Sequence, residues 1–309
     1  MLPSTRQLQH FIAIAETGQV SKAALLCHVT QSSMTASLKN LEEQLGASLF
    51  TRHHGGVRLT EEGVRFLRHA QKVNAALREA VFSVSERPSY ATGPLSMAVT
   101  ETISAYVLAP LMVSLKQRFD HLELNVVELS REKIVQKLLA NELDLAIVLA
   151  SNLAPSELQC QTLVRSPRHL WGHPDHPLMS MDRVTLSQLA DHAYVLLDMD
   201  DHVTTVEKYW AEAGLRLTPH YRTTSIEAVR SLVASGYGVA VLSDLVYKPW
   251  SLDGQRIMRR PLADPVPSMD VGLAWAKARA QAPAFFELKS FLEKWFKSSG
   301  EHPGFRAGP

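Results

Sequence analysis

The N-terminal part of the chain carries apolar residues at the spacing of helices. The first stripe consists of Leu8, Phe11, Ile12 and Ala15. Ser4 and Gln7 precede it at the spacing of a capping box, and Gly18 follows it where a helix usually ends. This pattern predicts a first helix between Ser4 and Gly18.

Two further helices joined by a tight turn are predicted between Val20 and Leu45. Ser21 can cap the first of them, whose small inner face consists of Ala23, Ala24 and Cys27. Thr30 can cap the second, and Gly46 follows where that helix should end. The apolar stripe of the second helix is formed by Met34, Leu38, Leu41 and Leu45.

The opposite face of this second helix carries short polar side chains around its first turns. These polar residues are Gln31, Ser32, Ser33, Thr35 and Lys39, and Ala36 lies on the same face. Short donors and acceptors near a helix N-terminus are the groups with which a helix-turn-helix protein reads base edges in the major groove. A helical hairpin with a solvated polar face has the same pattern, so this segment alone leaves both interpretations open.

A hairpin is predicted next, because two short extended pieces flank Gly55 and Gly56. Its tip carries the basic side chains of Arg52, His53, His54 and Arg58. The two histidines are interpreted as part of a solvated turn rather than a metal site, since no third ligand is near. Three helices followed by such a hairpin have the layout of a winged helix-turn-helix.

A long helix is predicted from Thr60 to about Arg87. Its apolar residues alternate at spacings of four and three and form a coiled-coil seam of Phe66, Ala70, Val73, Leu77, Ala80 and Val84. A single helix that exposes such a seam would be poorly soluble, so we expect it to pair with another subunit. Pro88 and the Gly93-Pro94 pair then mark a linker.

Beyond Gly93, strands alternate with helices. Strands are predicted over residues 95–99, 122–129, 144–149, 193–197, 220–224, 239–242 and 271–275. Helices are predicted over residues 105–118, 132–140, 203–213, 226–234 and 284–296. This order repeats in two βαβ-rich halves, which predicts twin α/β subdomains with a cleft between them.

The composition is that of a soluble globular protein, with 46% hydrophobic and 20% charged residues in a chain of 309, long enough for two or more domains. The net charge of +1 does not by itself indicate nucleic acid. Cys27 and Cys160 form neither a disulfide framework nor a zinc spacing, and no signal peptide or membrane-spanning run is recognisable. We therefore expect a cytoplasmic protein with no membrane partner.

Several motifs of the N-terminal part are similar to those of the LysR-type bacterial transcriptional regulators. They are TQSSMTASLKNLEEQLG from Thr30, LFTR from Leu49 and LTEEG from Leu59. A looser match follows at His176-Pro177-Leu178 and at residues 236–240. The resemblance covers nearly the whole chain.

The resemblance implies an all-α winged helix-turn-helix over residues 1–60, a linker helix and hinge over 61–92, and a periplasmic-binding-protein-like α/β effector domain over 93–297. Its two subdomains would comprise about 93–164 with 266–297, and about 165–265, followed by a flexible tail over 298–309. The implied partners are double-stranded DNA, a small-molecule effector, and further copies of the chain. These copies would form a homodimer through the linker helix and then a homotetramer.

The resemblance also assigns DNA contacts to individual residues. Gln31, Ser33 and Thr35 would contact bases and nearby phosphates, with Ser32 and Lys39 on the same groove-facing surface; Arg52, Arg58 and Thr60 would contact the DNA backbone. The chain departs from the family at Ser32, where relatives often have proline, at Ala36, where they often have arginine, and at Ser243, where they often have proline. The first two departures leave the operator sequence open.

Effectors in such domains bind outside the carboxyl ends of strands. That rule selects Thr100, Glu101, Thr102, Ser130, Arg131, Met199, Asp200, Thr224 and Ser225. Thr224 and Glu227 have capping-box spacing, which would commit the Thr224 hydroxyl to its helix. Glu101 would repel an acidic effector unless Arg131 neutralises it, so a polar or zwitterionic effector is one hypothesis and an exposed rim glutamate is the other.

Other functional classes lack their signatures. The histidines His169, His173 and His176 have no zinc-like register, and Gly236-Tyr237-Gly238 does not open a helix after a strand as a dinucleotide fingerprint does. No local catalytic motif is recognisable, so neither an enzyme nor a bound cofactor is expected. A transport-type binding protein would share the α/β domain but would need a secretion signal and no helix-turn-helix.

Overall fold

A computed structural model describes residues 2–53, 56–85, 91–150, 158–200, 202–278 and 281–299. The chain forms two compact units, Met1–Arg87 and Pro88–Pro309. The tip of the predicted hairpin at residues 54–55, the hinge at 86–90 and the tail beyond residue 299 lie outside the described residues. Within the described ranges, no helix combines the length and apolar character that crossing a membrane requires.

The first unit contains the predicted helices and hairpin. Its elements are α1 Thr5–Thr17, α2 Val20–Leu26, α3 Gln31–Leu45, β1 Phe50–His53, β2 Gly56–Leu59 and α4 Glu61–Ser85. The Ser4–Gln7 capping box of α1 is present, and β1 pairs antiparallel with β2. The predicted cap at Ser21 is wrong, because α2 begins at Val20 after an extended Gln19.

Aromatic rings and small residues form the core of this unit. The Phe11 ring lies 5.4 Å from the ring of Phe50 and 5.1 Å from that of Phe66, measured between centroids. Ala23 is fully buried where α2 approaches its neighbours. The Glu42 carboxylate accepts the Leu49 and Phe50 N–H groups at 2.6 and 3.3 Å, which fastens the end of α3 to the hairpin.

The joint between the hairpin and α4 is tightly packed. A Cβ atom added at Gly63 would lie 2.1 Å from the Leu49 carbonyl oxygen and 2.9 Å from Leu59 Cδ2. The Thr60 hydroxyl donates to the Ser48 carbonyl at 2.7 Å and accepts the Gly63 N–H at 3.0 Å. Glycine at position 63 is therefore required for α4 to start against the hairpin.

The second unit contains a five-stranded sheet with strand order β4-β3-β5-β12-β6. Its strands are β3 Gly93–Val99, β4 Leu122–Glu128, β5 Leu145–Leu149, β6 Leu158–Ser166 and β12 Met269–Ala276. β3 runs parallel to β4 and β5, whereas β12 is antiparallel to β5 and β6. The helices that accompany this sheet are α5 Glu101–Ile103, a π-helical segment Ser104–Leu108, α6 Ala109–Arg118, α7 Arg131–Leu139 and α11 Pro283–Ser299.

The remainder of this unit forms a second α/β subdomain. Its strands are β7 Arg168–Gly172, β8 Val195–Leu197, β9 Tyr221–Thr223, β10 Ala240–Ser243 and β11 Met258–Arg260, with helices α8 Leu186–Ala190, α9 His202–Glu212 and α10 Ile226–Ala234. β10 and β11 are antiparallel to β7, and β8 is parallel to β9. The chain crosses between the subdomains twice, from β6 to β7 and from β11 to β12.

Most predicted elements of this unit form with boundaries shifted by one or two residues. The strands β6, β7 and β11 and the short helix α8 were not predicted. Only the two end residues of β6, Leu158 and Ser166, are buried in LQCQTLVRS at the edge of the sheet, so β6 lacks the apolar run by which the central strands are recognisable. The helix predicted over 105–118 is interrupted by the π-helical segment and begins at Glu101.

We predict that Gly63→Ala destabilises the first unit by about 1–3 kcal/mol, because its methyl group would overlap the Leu49 carbonyl. All five tryptophans lie in the second unit, so tryptophan fluorescence follows that unit alone. The variant should lower the midpoint temperature at which the first unit unfolds, followed by helical circular dichroism. The midpoint temperature followed by tryptophan fluorescence should stay unchanged. Glu62→Ala, an exposed change one residue earlier, is the matched control. Equal circular-dichroism midpoint temperatures for Gly63→Ala and Glu62→Ala would contradict the packing assigned to Gly63.

Candidate functional site

The polar face of α3 is open to solvent over its buried apolar stripe. Met34 and Leu41 are fully buried. All the groove-facing candidates are exposed, namely Gln31, Ser32, Ser33, Thr35 and Lys39. Thr30 caps the helix by accepting the Ser33 N–H at 3.2 Å, which leaves the first turn rigid and its outer side chains accessible.

The hydroxyl groups of this face are partly engaged within the helix. Thr35 donates to the Gln31 carbonyl at 2.9 Å, and the Ser32 and Ser33 hydroxyls lie 3.0 and 2.9 Å from the Thr30 hydroxyl. Within the described ranges, the side-chain amide of Gln31 forms no hydrogen bond. It therefore offers a donor and an acceptor on one side chain, the pairing that recognises adenine in the major groove.

The hairpin exposes two of its predicted cationic residues. Arg52 and Arg58 are both solvent-exposed on β1 and β2. Thr60 differs from the expectation, because its only hydroxyl proton is donated to the Ser48 carbonyl and its oxygen caps α4. Its side chain positions α4 against the hairpin rather than presenting a free donor to a phosphate.

The long helix α4 exposes the middle of its predicted seam. Ala70 is buried within the unit, whereas Val73 is 49% and Leu77 is 41% exposed. The seam position at Val84 lies among side chains that are not described. Two large apolar side chains one helical turn apart, both facing water, form a surface suited to another helix.

An enclosed cavity lies between the two subdomains of the second unit. The space inside it that a water-sized molecule can occupy is about 30 Å³, so a ligand larger than one or two water molecules requires the lining side chains to move apart. Its polar lining includes Thr102, Tyr106, Arg168, Asp200, His202, Thr205 and Ser243, and its apolar lining includes Leu149, Leu197, Met199, Ile226, Leu242, Val246 and Met269. Three of the predicted effector residues, Thr102, Met199 and Asp200, line this cavity.

Hydrogen bonds cross the cavity between the subdomains. The Thr102 N–H donates to Asp200 Oδ2 at 3.1 Å, and the Thr102 hydroxyl lies 3.4 Å from the sulfur of Met199. Arg230, which is 2% exposed on α10, donates to the Tyr106 hydroxyl at 3.1 Å and to the Val246 carbonyl at 2.7 Å. The closed arrangement of the cleft is therefore held by contacts from one helical segment of the first subdomain.

Arg168 lies where the chain enters β7 and is 7% exposed. Its Nη1 donates to the Pro267 carbonyl on the second crossover, and its Nε has no hydrogen-bond partner among the described residues. Burial lowers its pKa, but a guanidinium remains charged at neutral pH. The carboxylate that attracts it is that of Asp270, which is itself paired with Arg165 at 3.5 Å.

His202 begins α9 beside this cation and is 9% exposed. Burial, with a smaller contribution from the positive charge of Arg168, lowers the pKa of His202 to about 3. The imidazole is therefore neutral at physiological pH, and the cavity holds one buried cation next to a neutral ring.

A second, more open hollow lies at the rim of the cleft, with about 410 Å³ accessible to a water-sized molecule. It includes Glu101, Ser130 and Arg131 together with Met199 and Asp200. Burial raises the pKa of Glu101, and the negative charges of Asp200 and Glu128 raise it further. Glu101 is exposed and does not line the enclosed cavity, which corresponds to the rim alternative.

The remaining candidates are placed differently from the expectation. Thr100 is 2% exposed, and no described residue bonds to its hydroxyl. The predicted cap at Thr224 is wrong, because Ser225 accepts the Ala228 N–H and Glu227 pairs with Arg230 instead. Thr224 and Ser225 are exposed and line neither of the two cavities.

Arg168, His202, Tyr106 and Arg230 were not identified from the sequence. Arg168 follows Pro167 in a stretch without a predicted strand, and the others have the spacing of ordinary helix positions. A proline between two extended segments, followed directly by arginine, was the available signal for the crossover.

His169 also has a defined role, since its Nδ1 lies 2.9 Å from Asp244 Oδ1. The part of the chain that the structure describes holds no cluster of side chains arranged for a metal ion.

Two domain families match the chain. The bacterial regulatory helix-turn-helix protein, lysR family, matches residues 5–64. The LysR substrate binding domain matches residues 89–297. Together the two matches cover the N-terminal part of the first unit and nearly all of the second, and residues 65–88, which include most of α4, lie outside both.

Individual relatives are similar at moderate identity. The DNA-binding transcriptional dual regulator OxyR of Escherichia coli K12 is 27% identical over 273 residues, which cover 87% of this chain and 88% of OxyR. The RuBisCO operon transcriptional regulator of Allochromatium vinosum is 29% identical over 243 residues, 78% of this chain and 79% of that protein. The crystal structure of HinK, a LysR family transcriptional regulator from Pseudomonas aeruginosa, is similar in fold. Its TM-score is 0.62 at 24% identity, covering 96% of this chain and 99% of HinK.

We predict that acid destabilises the second unit through His202. Between its ordinary pKa of 6.5 and its folded value of about 3, the unfolded chain binds a proton that the folded chain does not. The free energy of unfolding should therefore fall as the pH drops below about 6.5. The free energy of unfolding should be measured by urea unfolding at pH 7 and pH 5, followed by tryptophan fluorescence. Between these pH values it should fall less for His202→Gln than for wild type. The exposed His121→Gln is the control, and a wild-type-sized loss in His202→Gln would refute the assignment.

Proposed function

The chain belongs to the LysR family of bacterial transcriptional regulators, and from this premise we propose how its parts divide the work. It is a regulator with a helix-turn-helix DNA-binding domain and a substrate-binding effector domain, in a family that binds DNA and small molecules. We assign residues 1–60 to DNA binding, 61–92 to the linker helix and hinge, and 93–297 to effector binding. The predicted family is confirmed.

In this proposal the first turns of α3 read the bases. Gln31, Ser33 and Thr35 contact base edges and nearby phosphates, with Ser32 and Lys39 on the same surface. The observation that best supports this proposal is that the polar turn is exposed above the fully buried side chains of Met34 and Leu41. The side-chain amide of Gln31 forms no hydrogen bond with the described residues. Arg52 and Arg58 would bind phosphates on either side of the groove and fix the register of the helix.

The assembly follows from the seam of α4. Val73 and Leu77 would pack against the same residues of a second copy, because an isolated helix leaves them in water. Two such dimers would form a tetramer that contacts two DNA sites. Acting on the chromosome, the assembly would work in the cytoplasm.

The enclosed cavity between the subdomains is the proposed effector site. Thr102, Met199 and Asp200 would contact the effector directly, while Glu101, Ser130 and Arg131 form the rim. Binding would change the bonds that cross the cleft, rotate one subdomain against the other and alter the spacing or bend of the bound DNA. The ligand is an effector, and the proposed activity involves neither a cofactor nor catalysis.

A disulfide switch within one effector domain is not part of this proposal. The chain has two cysteines, and the second unit contains only Cys160, so no disulfide can form within one effector domain. Although Cys160 is solvent-exposed, the protein around it displaces enough water to raise the pKa of its thiol, which disfavours the reactive thiolate. A small molecule that binds reversibly is the better candidate.

A gel-shift and footprinting experiment with DNA from upstream of its own gene tests the proposed function. Full-length protein should protect a defined segment that survives competition with unrelated DNA. Size-exclusion chromatography with light scattering on the same sample reports the assembly. Absence of any protected segment, across upstream regions and in the presence of candidate effectors, would refute the regulator assignment at this locus.

We predict that Arg52→Ala weakens binding to all DNA sequences similarly and lowers the slope of log affinity against log salt by about one unit. The reason is that a phosphate contact releases one counterion and carries no base information. Binding should be measured across a salt series on the protected segment and on unrelated DNA. Arg165→Ala, which removes an exposed arginine from the second unit, is the control. An unchanged slope with altered sequence preference would overturn the role of Arg52.

A further inference from the structure

A buried polar contact joins α1 to α3, the helix proposed to read the bases. His10 on α1 is 5% exposed, and its Nδ1 lies 2.8 Å from the hydroxyl oxygen of Ser37 on α3. Burial lowers the pKa of His10, and the positive charge of Arg6 lowers it further. The imidazole is therefore neutral at pH 7, with one nitrogen that donates a hydrogen bond and one that accepts.

Ser37 lies in the middle of the buried face of α3. It follows Met34 by three residues and precedes Leu41 by four, and both of these side chains are fully buried. Contact between apolar surfaces has no preferred direction, whereas a hydrogen bond weakens steeply when its angle changes. The bond from His10 to Ser37 therefore restrains the rotation of α3 about its own axis in a way that the apolar contacts do not.

A small rotation of α3 would displace the side chains assigned to base contacts, Gln31, Ser33 and Thr35. An α-helix with its side chains is about 10–12 Å wide, so a rotation of about 10° moves a side-chain tip by about 1 Å. The lengths of good hydrogen bonds vary by only a few tenths of an ångström, so such a displacement disrupts base contacts. Arg52 and Arg58 lie on the hairpin rather than on α3, so their phosphate contacts would stay in place.

We propose that His10 is a positioning residue for base recognition, which holds α3 through Ser37 in the rotation at which its outer side chains meet the bases. The inference rests on the proposed function, since it takes α3 to be the helix that reads DNA. His10 is buried, so it acts through α3 and not by contact with DNA. Loss of the bond should lower the preference for the correct sequence without lowering the general attraction to DNA.

Four variants test this role through the ratio of affinities for the protected segment and for unrelated DNA. Ser37→Ala removes one partner, and His10→Phe keeps an aromatic ring without its nitrogens. Each should lower the ratio by roughly tenfold, about the effect of one mismatched base pair. The double variant should lose no more than either single variant, because both changes remove the same bond. His10→Asn should retain the wild-type ratio, since its amide places a polar atom where Nδ1 lies.

The dissociation constants are measured with full-length protein over a salt series, at a temperature where circular dichroism shows each variant to be folded. The slope of log affinity against log salt should match wild type throughout, since no phosphate contact is removed. Gln9→Ala, an exposed change on α1 beside His10, is the control and should keep both the ratio and the slope. Where His10→Phe does not fold, Ser37→Ala and His10→Asn decide the question.

The inference is overturned when Ser37→Ala and His10→Phe keep the wild-type ratio, or when they weaken binding to both DNAs equally, as a loss of folded protein would. Losses that add up in the double variant, or a loss in His10→Asn as large as in His10→Phe, would also overturn it. Failure of the proposed function has a different result, because the wild-type protein itself would then prefer no segment of the upstream DNA.

Discussion

The Arg168 guanidinium is buried where the chain passes between the two halves of the effector unit, and the local structure depends on satisfying it. Its contact with the Pro267 carbonyl joins the two crossovers. The same charge helps to keep His202 neutral, so that the neighbouring ring remains a donor within the cavity. Because a buried cation is tolerated only with partners, the shape of the crossovers and the chemistry of the cavity are linked through one side chain.

The DNA-binding unit depends on a different kind of constraint, the close approach of backbone to backbone. Gly63 lets α4 begin against the Leu49 carbonyl, and Glu42 bonds the hairpin to the end of α3. These contacts fix the hairpin relative to α3. The exposed side chains of Gln31 and Arg52 consequently belong to one rigid surface, although they lie on separate elements.

Local patterns were sufficient to predict most of the fold, and long-range contacts account for what was missed. The helices of the first unit, the β1–β2 hairpin and most strands of the second unit follow from periodicity within a few residues. Arg168 was not recognisable, because its role comes from contact with Pro267, which lies far along the chain. The cap at Thr224 was misassigned by one residue, since Thr and Ser are equally able to accept an amide proton and only the helix start distinguishes them.

The bonds that cross the cleft have a consequence for how a subunit responds to its effector. Thr102 and Tyr106 lie about one helical turn apart on a continuous helical segment, and each bonds to a different element of the second subdomain. A rotation of that segment would change the lengths of both bonds, so the orientation of the two subdomains is linked to two contacts at once. A ligand that binds one orientation better than the other would shift the population of subunits toward that orientation.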